Sequence, residues 1–333
     1  MKILQRSIPL WMLLLIMATI GLGIIVFLRV DSNYPKKVSA QNVCESKVIY
    51  TRGKKGKLSR QLIMADSPDE SSELGELKST FQQTISSSIA QGGVKNASVY
   101  YRQLNSGKWI SINGDQQFSA ASIMKVLTLM YHLREEENKP GWLNQKMLVA
   151  SNLTGSNIQT ATDKHTKIGS TYTIKELIDF MILYSDNNAT AHLNSLMDFN
   201  VYSSLMSDIN IPIPDKNQTD YKLTSEQTSR FLTVLYNCSV LSSNYSEMAL
   251  KILTKSSYHG GLLRNIKKNV IVAHKFGERF LPNENQIHET AIFYLNEDPY
   301  LLTVMTTGSD TAQEADLLGK IGSIAFDYSN KNN

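Results

Sequence analysis

The longest uninterrupted apolar stretch, Ile8 to Leu28, runs for 21 residues without a charge. At about 1.5 Å of rise per residue, a helix of that length spans the hydrocarbon core of a bilayer. Beyond it the pattern takes on shorter periods. Between Glu73 and Ala90 the apolar positions are Leu74, Leu77, Phe81, Ile85 and Ile89, and Gly92-Gly93 follows. That spacing predicts an amphipathic helix with a glycine stop. Ala97–Leu104 and Lys108–Ile112 read as strands flanking the turn Asn105-Ser-Gly107. Ile123–Leu133 is apolar nearly all round, which predicts a buried helix. Thr173-Ile-Lys-Glu176 and Thr224-Ser-Glu-Gln227 are capping boxes. They open helices through Ile182 and through Cys238. Ala191–Met197 and Tyr245–Leu253 add helical stretches, whereas residues 142–172 show no clear period. Asn269–His274, Glu289–Leu295 and Tyr300–Thr307 predict three further strands, and Ala312–Phe326 a closing helix. Strands lie at both ends and helices between them. The expected fold is α+β in three layers, with one antiparallel sheet built from both chain ends and an all-helical middle.

Charge divides the chain further. The net charge is +4, yet residues 1–60 alone carry 11 Lys/Arg against 2 Asp/Glu. The remainder is therefore acidic, and the basic excess belongs to the N-terminal arm. A nucleic-acid binder would carry a basic stripe on the folded domain itself, so that class is set aside. Residues 1–30 read as a membrane anchor, 31–72 as a charged stalk and 73–333 as the folded domain. A cleaved signal peptide is the alternative to the anchor, with Val38-Ser-Ala40 as its cleavage pattern. That pattern lies ten residues past the apolar run, beyond Arg29, Lys36 and Lys37, which favours an uncleaved span. The basic run Arg52-Gly-Lys-Lys-Gly-Lys57 reads as solvated and flexible; attraction to anionic headgroups or an anionic wall polymer is the functional alternative.

Two cysteines, Cys44 and Cys238, are too few for a disulfide framework or a zinc site. Cys238 ends an apolar run and reads as a small buried hydrophobe. The six histidines form no His-Glu-x-x-His pattern, and His288-Glu289 lacks a second His. Neither metal nor cofactor is expected. His259, before Gly260-Gly261, reads as a turn residue.

Three short blocks carry chemistry. Ser122-Ile-Met-Lys125 sits where the buried helix begins. Residues three apart on a helix are neighbours, so Lys125 is expected on the face of Ser122, placed to take its proton. Ser185-Asp-Asn187 follows a predicted helix, and Lys275-Phe-Gly277 ends a predicted strand. Ser-x-x-Lys, Ser-Asp-Asn and Lys-Thr-Gly together mark class A β-lactamases and penicillin-binding proteins.

From Glu73 to the C-terminus the chain resembles that family. The resemblance rests on Phe118-Ser-Ala-Ala-Ser-Ile-Met-Lys125, Tyr172-Thr-Ile-Lys-Glu-Leu-Ile178, Tyr184-Ser-Asp-Asn187 and Val272-Ala-His-Lys-Phe-Gly277, in the family's order. It implies an acyl-enzyme formed on Ser122 with Lys125 as base. Ser185 would relay a proton to the leaving nitrogen, Asn187 would hold the substrate amide, and Lys275 would attract its carboxylate beside Gly277. Backbone N–H groups of Ser122 and Glu278 would form the oxyanion hole. The implied substrates, β-lactams or D-Ala-D-Ala wall peptides, lie outside the cytoplasm. The domain is accordingly expected on the outer side of the cell membrane, held by a single span.

Two departures stand out. Phe276 replaces the family's Thr or Ser, which removes a hydroxyl contact to the substrate carboxylate. The family's Glu-x-x-Leu-Asn loop, whose Glu activates the deacylating water, has no full copy; Asp220-Tyr-Lys-Leu-Thr224 is nearest. Asp220 reads as a solvated loop carboxylate or, failing that, a short substitute base. Slow deacylation is therefore expected. The alternative function is a catalytically degenerate, membrane-anchored wall-binding or scaffold module. His274, beside Lys275, would either pack or tune its charge.

Overall fold

The structure is a computed structural model, and it describes residues 49–55, 60–154, 164–215, 220–295 and 298–331. In chain order the elements are β1 (Ile49–Lys55), β2 (Arg60–Asp66), α1 (Gly75–Ala90), β3 (Val94–Gln103), β4 (Trp109–Ile112), β5 (Phe118–Ser119), a 3-10 turn at Ala121–Met124, and α2 (Lys125–Asn138). Then come β6 (Lys146–Leu148), β7 (Thr171–Thr173), α3 (Ile174–Leu183), α4 (Asn187–Asn194), α5 (Phe199–Asp208), β8 (Lys222–Leu223), α6 (Ser225–Tyr236) and α7 (Ser243–Leu253). The chain closes with β9 (Ile271–Leu281), β10 (Glu284–Tyr294), β11 (Tyr300–Gly308) and α8 (Thr311–Lys331).

Five strands form the main sheet in the order β4-β3-β11-β10-β9, and every neighbouring pair is antiparallel. Both ends of the domain thus supply strands, as the order of apolar segments predicts. β11 is central, and all nine of its residues are buried. A strand covered on both faces reads as a near-continuous apolar run, as Tyr300-Leu-Leu-Thr-Val-Met305 does.

Each face of the sheet carries its own core. On one face Phe81 of α1 and Leu318 and Phe326 of α8 pack with Tyr101, Phe293 and Tyr300. On the other, α2, α3, α6 and α7 contribute Leu127, Met130, Ile178, Phe231 and Leu250. The three-layer expectation holds, but the middle is not all helical, because β5 pairs with β8 and β6 with β7 in two short antiparallel sheets. Both capping boxes form. Thr173 Oγ1 accepts from Glu176 N and Thr224 Oγ1 from Gln227 N, while the third-position side chain returns a bond to the cap backbone.

Several expectations need correction. Residues 49–66, assigned above to a flexible charged stalk, include the antiparallel hairpin β1–β2. Charge on the chain does not prevent backbone pairing. Ile63 and Met64 are buried in the helical core, and Asp66 pairs with Arg102. Cys238 is exposed rather than buried and holds a left-handed backbone with φ of 50° just past α6. The strand expected to stop at His274 continues through the Lys275 block to Leu281, because β10 pairs with its whole length. The apolar span Ile8–Leu28 and Cys44 lie outside the described residues. Among the described residues, no helix is long and apolar enough to cross a membrane.

Candidate active site

Ser122 lies in the 3-10 turn and not, as expected, in the α-helix, which begins at Lys125. The preceding residue, Ala121, has φ of 44°. Left-handed backbone is uncommon for a residue with a Cβ and is a mark of functional turns. The turn packs directly on β9 at Gly277. A Cβ there would stand 3.2 Å from Ile123 Cγ1 and 3.3 Å from both Ala121 Cβ and Ile123 N. Glycine therefore lets the strand lie against the nucleophile turn, so Ser122 and Glu278 line one cleft.

That cleft has a volume of about 400 Å³. Ser122, Lys125, Asn187 and Glu278 line it, together with Thr128, Asn194, Tyr202 and Arg279. The Lys125 ammonium is buried, and its bonds go to Ser185 O at 2.5 Å, Ser185 Oγ at 3.0 Å and Asn187 Oδ1 at 2.7 Å. Lys125 N–H donates to Ser122 O within the turn, but among the described residues no side-chain hydrogen bond joins Ser122 Oγ to Lys125 Nζ. The expected base is thus seated one turn from the serine but held towards the Ser185 loop. Burial pulls its pKa down from 10.5 to about 7, against the opposing fields of Asp186 and Glu278.

Ser185 stands between two lysines. Lys275 Nζ lies 3.1 Å from Ser185 Oγ and donates to Phe276 O at 2.8 Å. Burial lowers the Lys275 pKa well below the ordinary lysine value, and the Lys125 charge lowers it further. The Ser185 backbone is left-handed, with φ of 58°. The loop is locked by Asp186, which accepts from Asn188 N, Ala189 N and Thr166 N at 2.8, 3.0 and 2.6 Å. Asp186 belongs to the Ser-Asp-Asn block, yet the resemblance assigned it no role. The preference for Asp at helix N-caps was the signal that identifies it.

Lys275, expected to attract a substrate carboxylate, is fully buried, and its ammonium faces Ser185 Oγ and Phe276 O. Phe276 closes over it: its ring centroid lies 4.1 Å from Lys275 Nζ and its other partner is Tyr258, stacked at 4.0 Å. Asp220, expected as a solvated loop carboxylate or a short substitute base, is half-buried in its loop and does not line the cleft. It pairs with Arg279, whose guanidinium also donates to Ser119 Oγ at 3.0 Å. His274 turns to Glu289, with Nδ1 2.6 Å from Oε1, both buried. Glu289 is among the charges that raise the Lys275 pKa, so His274 acts on Lys275 only at one remove.

The arrangement contains a turn-borne serine, a buried low-pKa lysine one turn on, and a serine bridging to a second lysine from a strand. A model of the Beta-lactamase enzyme family matches residues 77–329. The chain belongs to this β-lactamase enzyme family. Solved structures agree in fold. TLA-3 extended-spectrum β-lactamase superposes with a TM-score of 0.67 at 16% identity, covering 77% of this chain and 99% of that chain. PBP-A gives 0.62 at 19% identity, with 78% and 97% covered. A class A β-lactamase from Mycobacterium abscessus gives 0.59 at 19%, with 77% and 98% covered. No curated protein matches the sequence.

Proposed function

We propose that the protein is an active-serine acyl-transfer enzyme acting on β-lactams or D-Ala-D-Ala peptides, with Ser122 as nucleophile. The observation that carries this reading is a buried lysine, Lys125, lining the same cleft as Ser122, where burial lowers its pKa. An amine with a pKa of about 7 is close to half neutral at neutral pH, and a general base works best when its pKa lies near the working pH. In the resting state Lys125 faces Ser185 and Asn187. A side chain with four rotatable bonds reaches Ser122 by a change of rotamer when the substrate amide takes over Asn187.

Ser185 would then carry the proton onward. Its hydroxyl is within 3.0 Å of Lys125 Nζ and 3.1 Å of Lys275 Nζ. Ser185 would take the proton from Lys125 and give its own hydroxyl proton to the leaving nitrogen, while Lys275 holds the Ser185 oxygen from the other side. Backbone N–H groups of Ser122 and Glu278, on the touching turn and strand, would hold the oxyanion. Deacylation would be slow, because Asp220 is occupied by Arg279 and does not line the cleft. A PBP-A variant has been solved as an acyl-enzyme with penicillin G, which is the intermediate this reading expects to accumulate. The sequence reading of an outward-facing domain on a single membrane span belongs to the same proposal.

A second reading, a degenerate wall-binding or scaffold module, is favoured by the sealing of Lys275 beneath Phe276. One experiment separates them. Incubation with a fluorescent penicillin followed by intact mass measurement should show one covalent adduct, absent in Ser122→Ala. Absence of any adduct with penicillins and with acyl-D-Ala esters would leave the scaffold reading standing.

A further inference from the structure

We propose a second ligand site, for a small phosphate ester, in a cleft beside the edge strand β9. The cleft has a volume of about 650 Å³, larger than the Ser122 cleft. Its polar lining includes Ser256, His259, Arg264, Lys268 and His274, and Leu263, Ile266 and Val272 give it an apolar wall. A concave site of this volume, with polar and cationic groups set against an apolar wall, is of a size that takes a small molecule.

Three observations point to an anion. The first is local charge. Residues 251–274 contain five Lys/Arg, two His and no Asp or Glu, although the chain beyond residue 60 is acidic overall. The second is an unmet hydroxyl. Ser256 is 5% exposed, and its Oγ has no hydrogen-bond partner among the described residues. Buried polar atoms are nearly always bonded, so a lining hydroxyl without a partner indicates a group supplied from the cleft. The third is the fate of the nearest carboxylate. Glu289 is fully buried, with Oε1 held by His274 and Oε2 by Leu262 N at 2.7 Å. It therefore does not neutralise the cations at the cleft.

The cations are also rooted. Gly319 of α8 lies against Arg264, where a Cβ would come within 3.2 Å of Arg264 Cβ. Lys268 Nζ sits 5.8 Å above the Phe326 ring of α8. The loop between α7 and β9 brings a hydroxyl, a guanidinium and an ammonium to this one cleft, a donor set large enough for the several oxygens of a phosphate. The apolar wall and the volume leave room for an organic body on the phosphate. The cleft adjoins the catalytic strand: His274 lines it and precedes Lys275, and Tyr258 next to His259 stacks on Phe276.

Calorimetric titration of the full-length protein with glycerol 3-phosphate tests the proposal. The wild type should bind the ester, and inorganic phosphate within about tenfold of it, while glycerol should not bind. Arg264→Gln should weaken binding at least tenfold and Ser256→Ala several-fold. Ser256→Ala adds no bulk and removes an unbonded hydroxyl, so it separates lost recognition from misfolding. No binding by the wild type, or binding that both variants leave unchanged, would overturn the site. Binding to phosphatidylglycerol vesicles without binding to the soluble ester would also overturn it, since the basic segment would then be a membrane contact.

Discussion

Replacing Lys125 with Met should change how stability depends on pH more than it changes stability itself. In the folded protein Lys125 titrates near 7, against 10.5 for an ordinary lysine. At about 1.4 kcal/mol per pH unit, that gap corresponds to on the order of 5 kcal/mol disfavouring the charged form in the fold. The sign follows from proton binding. Below pH 7 both folded and unfolded chains hold the proton, and the fold carries the whole cost. Above 10.5 neither holds it and the cost is gone. Between those limits only the unfolded chain is protonated, so stability rises with pH through this group. Lys125→Met removes that contribution. It also strips a donor from Ser185 O, Ser185 Oγ and Asn187 Oδ1, and each acceptor left unsatisfied costs roughly 1–3 kcal/mol. The absolute stability near pH 6 is thus a near balance, and the slope is the informative quantity. Urea denaturation at pH 7.5, 8.5 and 9.5 should show the wild type gaining about 3 kcal/mol on the variant across the series. Parallel curves would refute a depressed Lys125 pKa, and with it the assignment of Lys125 as base. The same titration should make the acylation rate of the wild type rise with pH below 7 and level off above it, read by stopped flow with a fluorescent penicillin.

Asp220→Asn should change the rate of acyl-enzyme breakdown by no more than about threefold, measured by loss of the penicillin adduct over time. A hundredfold fall would make Asp220 the deacylating base despite its pairing with Arg279. Gly277→Ala should lower the acylation rate tenfold or more, because the added Cβ meets the Ala121–Ile123 turn at 3.2–3.3 Å and the strand must move away from Ser122. An unchanged rate would show that the turn yields instead. Phe276→Thr, which restores the family's hydroxyl, should cost about 3 kcal/mol in urea denaturation, the usual scale for emptying a buried aromatic site. A loss below about 1 kcal/mol would mean the ring is not held by Tyr258 and Lys275 as described.

Much of the fold was legible because its elements follow simple periods. The Glu73–Ala90 stripe, the two capping boxes and the all-apolar β11 each carry their information locally. What escaped depends on partners. β9 continues past His274 through Lys275-Phe-Gly-Glu-Arg279 because β10 supplies its hydrogen bonds; nothing in that polar stretch announces a strand. The β1–β2 hairpin was hidden for the same reason, its charges concealing a backbone that pairs regardless. In the site, residue types and order located Ser122, Lys125, Ser185 and Asn187, whose spacing is set by one helix turn and one helix N-terminus. Lys275 was found, but not its full burial. Burial of a strand lysine depends on the ring that covers it, and Phe276 looked like a lost contact rather than a lid. The pairing of Asp220 was not legible because its partner, Arg279, comes from a strand 59 residues away.

The two lysines constrain the chemistry jointly. Both reach Ser185 Oγ, one at 3.0 Å and the other at 3.1 Å. Two ammonium groups sharing one hydroxyl in a buried site repel, so the pair loses a proton more readily than either lysine alone, and its titration belongs to the pair. The pair therefore offers a neutral amine more readily than an exposed lysine does, which is what the proposed activation of Ser122 would require. Nothing equivalent serves the return step. Among the described residues lining the cleft, Glu278 supplies the one carboxylate. It sits on β9, the strand whose backbone is proposed to hold the oxyanion. A water activated there would approach the acyl carbonyl from the side of its oxygen, where attack is unfavourable. Hydrolysis would then fall back on Lys125 as base, and Lys125 must first hand on the proton it took from Ser122. On the proposed function, release slower than acylation would follow from which face of the cleft carries which charge.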